Sequence, residues 1–101
     1  METAIKYYSI LSTLNDFKWS PLEIKIIAFT CIEGNISTGG RKEKFCSLFK
    51  SSKSSVFNSI SDLAEKFFLV KKERKVLLHP QLILDFSQPI SITLNLDYEA
   101  S

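Results

Sequence analysis

The chain has 101 residues, length for one domain, and 45% of them are hydrophobic, which argues against a disordered polymer. No apolar run approaches the ~20 residues that span a bilayer. The N-terminus lacks the basic region and apolar core of a secretory signal, so neither membrane insertion nor export is expected. Two cysteines, Cys31 and Cys46, sit in helical patterns without CxxC or Cys/His spacing, and are expected to be reduced core residues of a cytoplasmic protein.

Taken in chain order, residues 4–16 are predicted to form a helix. Ala4, Tyr8, Leu11 and Leu14 line one face, and Ile5, Tyr7 and Ile10 widen it. That surface is broad for a first helix. It packs either on its own domain or on a second copy of the chain. Residues 17–19 connect to a strong helix start. Ser20 is placed to cap, Pro21 takes the first helical position, and Glu23 completes a capping box. Leu22, Ile26, Ile27, Phe29, Cys31 and Ile32 make this second helix the most hydrophobic, hence the central core element, and Gly34 ends it in the left-handed conformation. Residues 35–40 read as a loop, with Ile36 as a very short strand joining a later hairpin. Gly39-Gly40 lacks the GxxxxGK[ST] spacing of a phosphate loop.

Residues 42–49 are predicted as a third helix with Phe45, Leu48 and Phe49 buried, and Lys50 and Ser51 leave only a turn before the next. Ser52 is placed to accept a free N–H of the fourth helix. There Val56, Ile60, Leu63, Ala64 and Phe67 recur at i, i+4, i+7, i+8 and i+11, one apolar stripe at the helical period. The opposite face carries Ser54, Asn58, Ser61, Asp62 and Glu65. Residues 69–72 and 75–78 read as two strands joined at Glu73 and Arg74. His79-Pro80 stops the second. Residues 81–86 form a short helix or an apolar clasp. In residues 90–98, Ile90, Ile92, Leu94, Leu96 and Tyr98 alternate with polar residues, the pattern of a half-buried strand. That strand pairs within the subunit, with its copy, or with another protein.

Helix, tight turn, helix and hairpin make an α+β winged helix-turn-helix, with three to four helices, a small antiparallel sheet and a C-terminal strand. The organisation expected is an N-terminal helix in residues 1–19, a core in 20–79, and a clasp and strand in 80–101. Charge agrees. Residues 41–75 hold ten basic and four acidic residues, a net +6, while the rest carries three basic against seven acidic, a net −4. A positive field segregated in this way attracts a phosphate backbone, although surface helices are also lysine-rich for solubility alone.

The run LFKSSKSSVFNSISDLAEKFFLVKK resembles the winged helix-turn-helix superfamily, in which a cap serine, a basic residue and a small hydroxyl residue precede V-[aromatic]-x-x-[aliphatic]-x-x-L. VLLHPQLIL is similar to the segment after the wing in plasmid replication initiators of the RepL type, and MarR-type regulators share the layout. The resemblance covers about residues 20–84. It implies that residues 52–61 are the recognition helix, whose N-terminal half enters the major groove of double-stranded DNA. Lys53, Ser54, Ser55 and Asn58 are the implied groove-facing set, with Asn58 suited to bidentate pairing with adenine. Lys42, Lys50 and Lys53 suit phosphates. Lys72, Arg74 and Lys75 suit the neighbouring backbone or the minor groove. Serines stand where strong readers carry Arg or Gln, so modest specificity with a large salt-dependent component is expected. One departure stands out: the family often has glycine between recognition helix and wing, and here Phe67 occupies that place.

No nucleophile elbow, metal-ligand spacing or glycine-rich phosphate motif occurs, and the single histidine, His79, stands beside a proline at a strand end. No enzyme activity, cofactor or metal is therefore expected. Transcriptional regulation or replication control, in a plasmid, phage or bacterial regulatory context, follows from the resemblance. The alternative is a winged-helix interaction or structural module of a larger assembly. It would use the first helix or the terminal strand as docking surfaces, or a homodimer would form through either one.

Overall fold

The computed structural model describes residues 1–85. The strand expected in residues 90–98 lies outside them. Four helices, α1 (Glu2–Asn15), α2 (Pro21–Glu33), α3 (Arg41–Phe49) and α4 (Lys53–Glu65), precede an antiparallel pair, β1 (Leu69–Lys72) and β2 (Lys75–Leu78), and a 3-10 turn, Pro80–Leu82. This is an α+β fold whose order is compatible with a winged helix-turn-helix. No helix among the described residues is long and apolar enough to cross a membrane.

α2 is the core helix its composition implied. Its capping box forms in full: Ser20 Oγ accepts the Glu23 N–H at 3.1 Å, and Glu23 Oε1 accepts the Ser20 N–H at 2.8 Å. Ile26, Ile27, Ala28, Phe29 and Thr30 are consecutive and all buried, because α1, α3, α4 and the hairpin surround the helix. Removing such side chains from water supplies about 1.5–3 kcal/mol for each large one. Phe29 meets the fully buried Phe45 edge to face, with ring centroids 5.4 Å apart. A second aromatic nest joins Phe17, Trp19 and Phe68, with centroids 4.9–5.0 Å apart, and ties the α1–α2 connector to the start of the hairpin.

Several expectations need correction. α1 starts at Glu2 rather than at residue 4, and Asp16 is its left-handed cap. Its buried line is narrow, Ala4, Tyr8 and Ser12, since α2 is the main element against it. Ile10 and Leu14 are left 43% and 54% exposed. In α3, which starts at Arg41, the core line runs through Phe45, with Cys46 and Phe49 partly buried against it, and Leu48 falls off it, 54% exposed. Ile32, in the last turn of α2, is also exposed. Phe67 is not the end of the α4 stripe. The helix ends at Glu65, and Phe67 takes φ 69° with its ring 76% exposed.

Ile36 forms no strand, yet it acts in place of one. Its N–H donates to the Val76 carbonyl at 3.2 Å, and its side chain is fully buried. Ile83 is extended after the 3-10 turn, and Leu82 and Leu84 pack on the core. The Tyr8 hydroxyl donates to the Leu82 carbonyl, and Cys31 Sγ lies 3.3 Å from the Leu84 carbonyl it donates to. These bonds clasp the chain's exit against α1 and α2.

Candidate nucleic-acid interface

The turn between α3 and α4 is made by Lys50 in the left-handed conformation, φ 54°, and by the Ser51 N–H returning to the Cys46 carbonyl. α4 then starts on Ser52, whose hydroxyl accepts the Ser55 N–H at 3.2 Å and donates to the Ser55 hydroxyl at 2.9 Å. Ser55 is thereby committed to the cap. Ser54 and Asn58 project from the outer face, both exposed and without side-chain hydrogen bonds among the described residues. Val56, Ile60 and Leu63 are buried beneath them. Ser54, Phe57, Asn58 and Ser61 are spaced i, i+3, i+4 and i+7, so they form one continuous outer strip. Asp62 and Glu65 make the C-terminal half of the exposed surface acidic, and only the N-terminal half can meet a polyanion without repulsion.

The cations divide into two groups. On the helices, Lys53 Nζ is 3.5 Å from Glu43 Oε2, and both side chains are about two-thirds exposed. A hydrogen bond from its own backbone N–H holds the Glu43 carboxyl below its ordinary range, and Lys53 adds to the effect. Lys42 Nζ stands 3.9 Å above the centre of the Phe57 ring, a cation–π contact. Lys50 is exposed. Glu33, at the end of α2, pairs with Lys44 at 2.8 Å and with Arg41 at 3.6 Å. The +6 read from residues 41–75 therefore overstates the local field, because a carboxylate from outside that stretch sits among its cations.

On the hairpin, Lys71, Lys72, Arg74 and Lys75 are all exposed. Lys72 and Lys75 are register partners, and like charges directly opposite one another on a ladder are destabilising. Glu73 turns the hairpin at φ 58°. Ser37 joins this wing to the helices. Its hydroxyl donates to the Arg74 carbonyl at 3.0 Å and accepts the Val76 N–H at 2.8 Å. Ser37 also lines a concavity of about 270 Å³ with Lys42, Glu43, Lys53 and Phe57. The turn end of the wing's main chain and the N-terminal ends of α3 and α4 thus meet at Ser37.

All nine residues proposed from the sequence lie on α3, its turn, α4 or the wing. The structure sets Lys42 and Lys53 on one concavity with Ser37, fastens the Arg74 main chain to Ser37, leaves Lys72 lining a different concavity beside Thr30 and Leu77, and commits the exposed Ser55 hydroxyl to the cap. Three participants escaped the sequence reading: Ser37, Glu33 and Phe57. Phe57 alone carried a signal, an aromatic that falls off the stripe of Val56, Ile60 and Leu63. His79 is a local cap, its Nδ1 accepting the Gln81 N–H at 3.1 Å. Among the described residues no three His, Cys, Asp or Glu side chains are grouped to hold a metal ion. Compared with protein-family models, curated proteins and solved structures, the chain has no match.

Proposed function

We propose that this protein binds double-stranded DNA, with α4 as the recognition helix and the β1–β2 hairpin as a basic wing. The observation that carries the reading is the outer strip of α4, uncovered among the described residues and flanked by Lys42 and Lys53, with the turn of the hairpin fastened at the Arg74 carbonyl to Ser37, which lines the same concavity as those two lysines. Asn58 has the chemistry to pair with an adenine edge. Lys42, Lys50, Lys53, Lys72, Arg74 and Lys75 have the chemistry to meet phosphates. A cytoplasmic role in transcriptional regulation or in plasmid or phage replication control is the corresponding biology, by resemblance to winged helix-turn-helix proteins.

The test is fluorescence anisotropy on a random 30-base-pair duplex over a salt series. If the six cations all reach phosphates, the slope of log affinity against log salt is about −5, a loss near a thousandfold between about 50 and 200 mM. Lys53→Glu and Arg74→Glu should each weaken binding and flatten that slope. Absence of binding at low salt overturns the reading and favours a protein-interaction module.

A second copy of the chain is the other proposed partner. Ile10 and Leu14, one turn apart on α1, are apolar and about half exposed. A homodimer through this face should become monomeric in Ile10→Glu/Leu14→Glu, measured by sedimentation. An unchanged mass would remove α1 from any interface.

A further inference from the structure

We infer that Phe57 reads the 5-methyl group of thymine, so that α4 favours A·T pairs through Phe57 and Asn58 acting side by side; the inference rests on the DNA-binding reading above. Phe57 is 53% exposed on a strip otherwise made of Ser54, Asn58 and Ser61. The core does not use it: Val56, Ile60 and Leu63 fill that face of the helix. Lys42 Nζ lies 3.9 Å over the ring's centre and covers one face, while about half of the side chain stays open to solvent.

In the major groove, adenine shows N7 and the N6 amino group, and thymine shows O4 and a methyl. A carboxamide satisfies the first pair of groups. The second partner's distinguishing mark is apolar, and it needs an apolar surface beside the carboxamide. Phe57, on the α3 side, and Asn58 stand on adjoining rows of the outer strip, about 100° apart around the helix, and between them they supply both kinds of surface. Lys42, held against the ring, keeps its charge at the edge of the strip, where a phosphate would lie.

Uracil tests this directly, because it differs from thymine at this edge by the methyl alone. Affinity is measured at fixed salt for a 24-base-pair alternating dA·dT duplex and for the same duplex with deoxyuridine in place of thymidine. One buried methyl corresponds to about a fourfold change in affinity, so wild type should prefer the thymine duplex by about that factor. Phe57→Ala should bind both duplexes equally. Phe57→Leu, still apolar, should keep most of the preference, and Asn58→Ala should weaken binding but keep the thymine-to-uracil ratio. Salt-sensitive binding with equal affinity for the two duplexes overturns the role of Phe57 and leaves the DNA reading standing. A fourfold preference that persists in Phe57→Ala overturns it as well. Binding to neither duplex at low salt overturns the DNA reading, and this inference with it.

Discussion

Phe67 is held in a backbone conformation it does not favour. At φ 69° the Cβ of an L-residue crowds the following carbonyl, at a cost of roughly 1–2 kcal/mol. The ring is 76% exposed, so its packing offsets little of this. What holds Phe67 there is a pair of helix-ending hydrogen bonds: the Phe67 N–H to the Ala64 carbonyl at 3.1 Å, and the Phe68 N–H to the Leu63 carbonyl at 2.9 Å. That is the Schellman arrangement, in which glycine is the usual residue at this position. Phe67→Ala removes the ring and keeps the Cβ, while Phe67→Gly removes both. Glycine relieves the strain but has a freer unfolded chain, which returns about 0.4–1 kcal/mol. Phe67→Gly should therefore be more stable than Phe67→Ala by roughly 0.5–1 kcal/mol, about 4 °C in Tm for a domain of this size. Urea unfolding followed by fluorescence of Trp19, a buried residue and the single tryptophan, measures it. Ser61, exposed within α4, is the control: there the order reverses, and Ser61→Gly should be less stable than Ser61→Ala by about 1 kcal/mol. If Phe67→Ala proves as stable as Phe67→Gly, the left-handed turn is wrong and α4 runs on past Glu65.

Ser37→Ala removes both hydroxyl bonds to the wing and should cost about 1–2 kcal/mol, with faster hydrogen exchange at the Val76 amide; unchanged protection there would mean that Ser37 does not secure the hairpin. Glu33→Gln frees Arg41 and Lys44, so duplex affinity should rise and the salt slope steepen by about one to two counterions, with a stability change under about 1 kcal/mol. If the slope stays constant, those two cations do not approach phosphate. Burial, helped by Cys31, pushes the Tyr8 phenol above its ordinary 10.0. A group whose folded-state pKa is raised stabilises fully below the unfolded value and loses that stability as pH rises beyond it. Unfolding free energy should thus fall above about pH 10, and Tyr8→Phe, which also loses the bond to Leu82, should flatten that fall; an identical alkaline limb in the two proteins would refute the assignment.

Whatever acts over one or two helical turns was legible in the chain. The Ser20–Glu23 capping box, the stop at Gly34, the Ser52 cap, the stripe of Val56, Ile60 and Leu63, and the two-residue turn at Glu73 and Arg74 all formed where local spacing put them. Capping bonds and hydrophobic periodicity join residues three or four apart, so sequence alone carries them. Even the departure at Phe67 could be read, as a side chain where glycine is usual, although whether it lengthens the helix or strains the turn could not.

Tertiary structure decided what covers each face. Ile10, Leu14, Leu48 and Ile32 belong to apolar patterns indistinguishable in sequence from those of Tyr8, Phe45 and Ile26. They remain exposed because no described element reaches them. The same holds for charge. Glu33 is 11 residues from Lys44 along the chain, yet their charged atoms are 2.8 Å apart, and the net charge of a stretch cannot register a partner from outside it. Ser37 meets the wing from 39 residues away at Val76, and Lys42 finds Phe57 only because the turn at Lys50 folds α3 back on α4. Burial and pairing depend on which distant segments arrive, and that is set when the helices pack, not by the order of residues within any one of them.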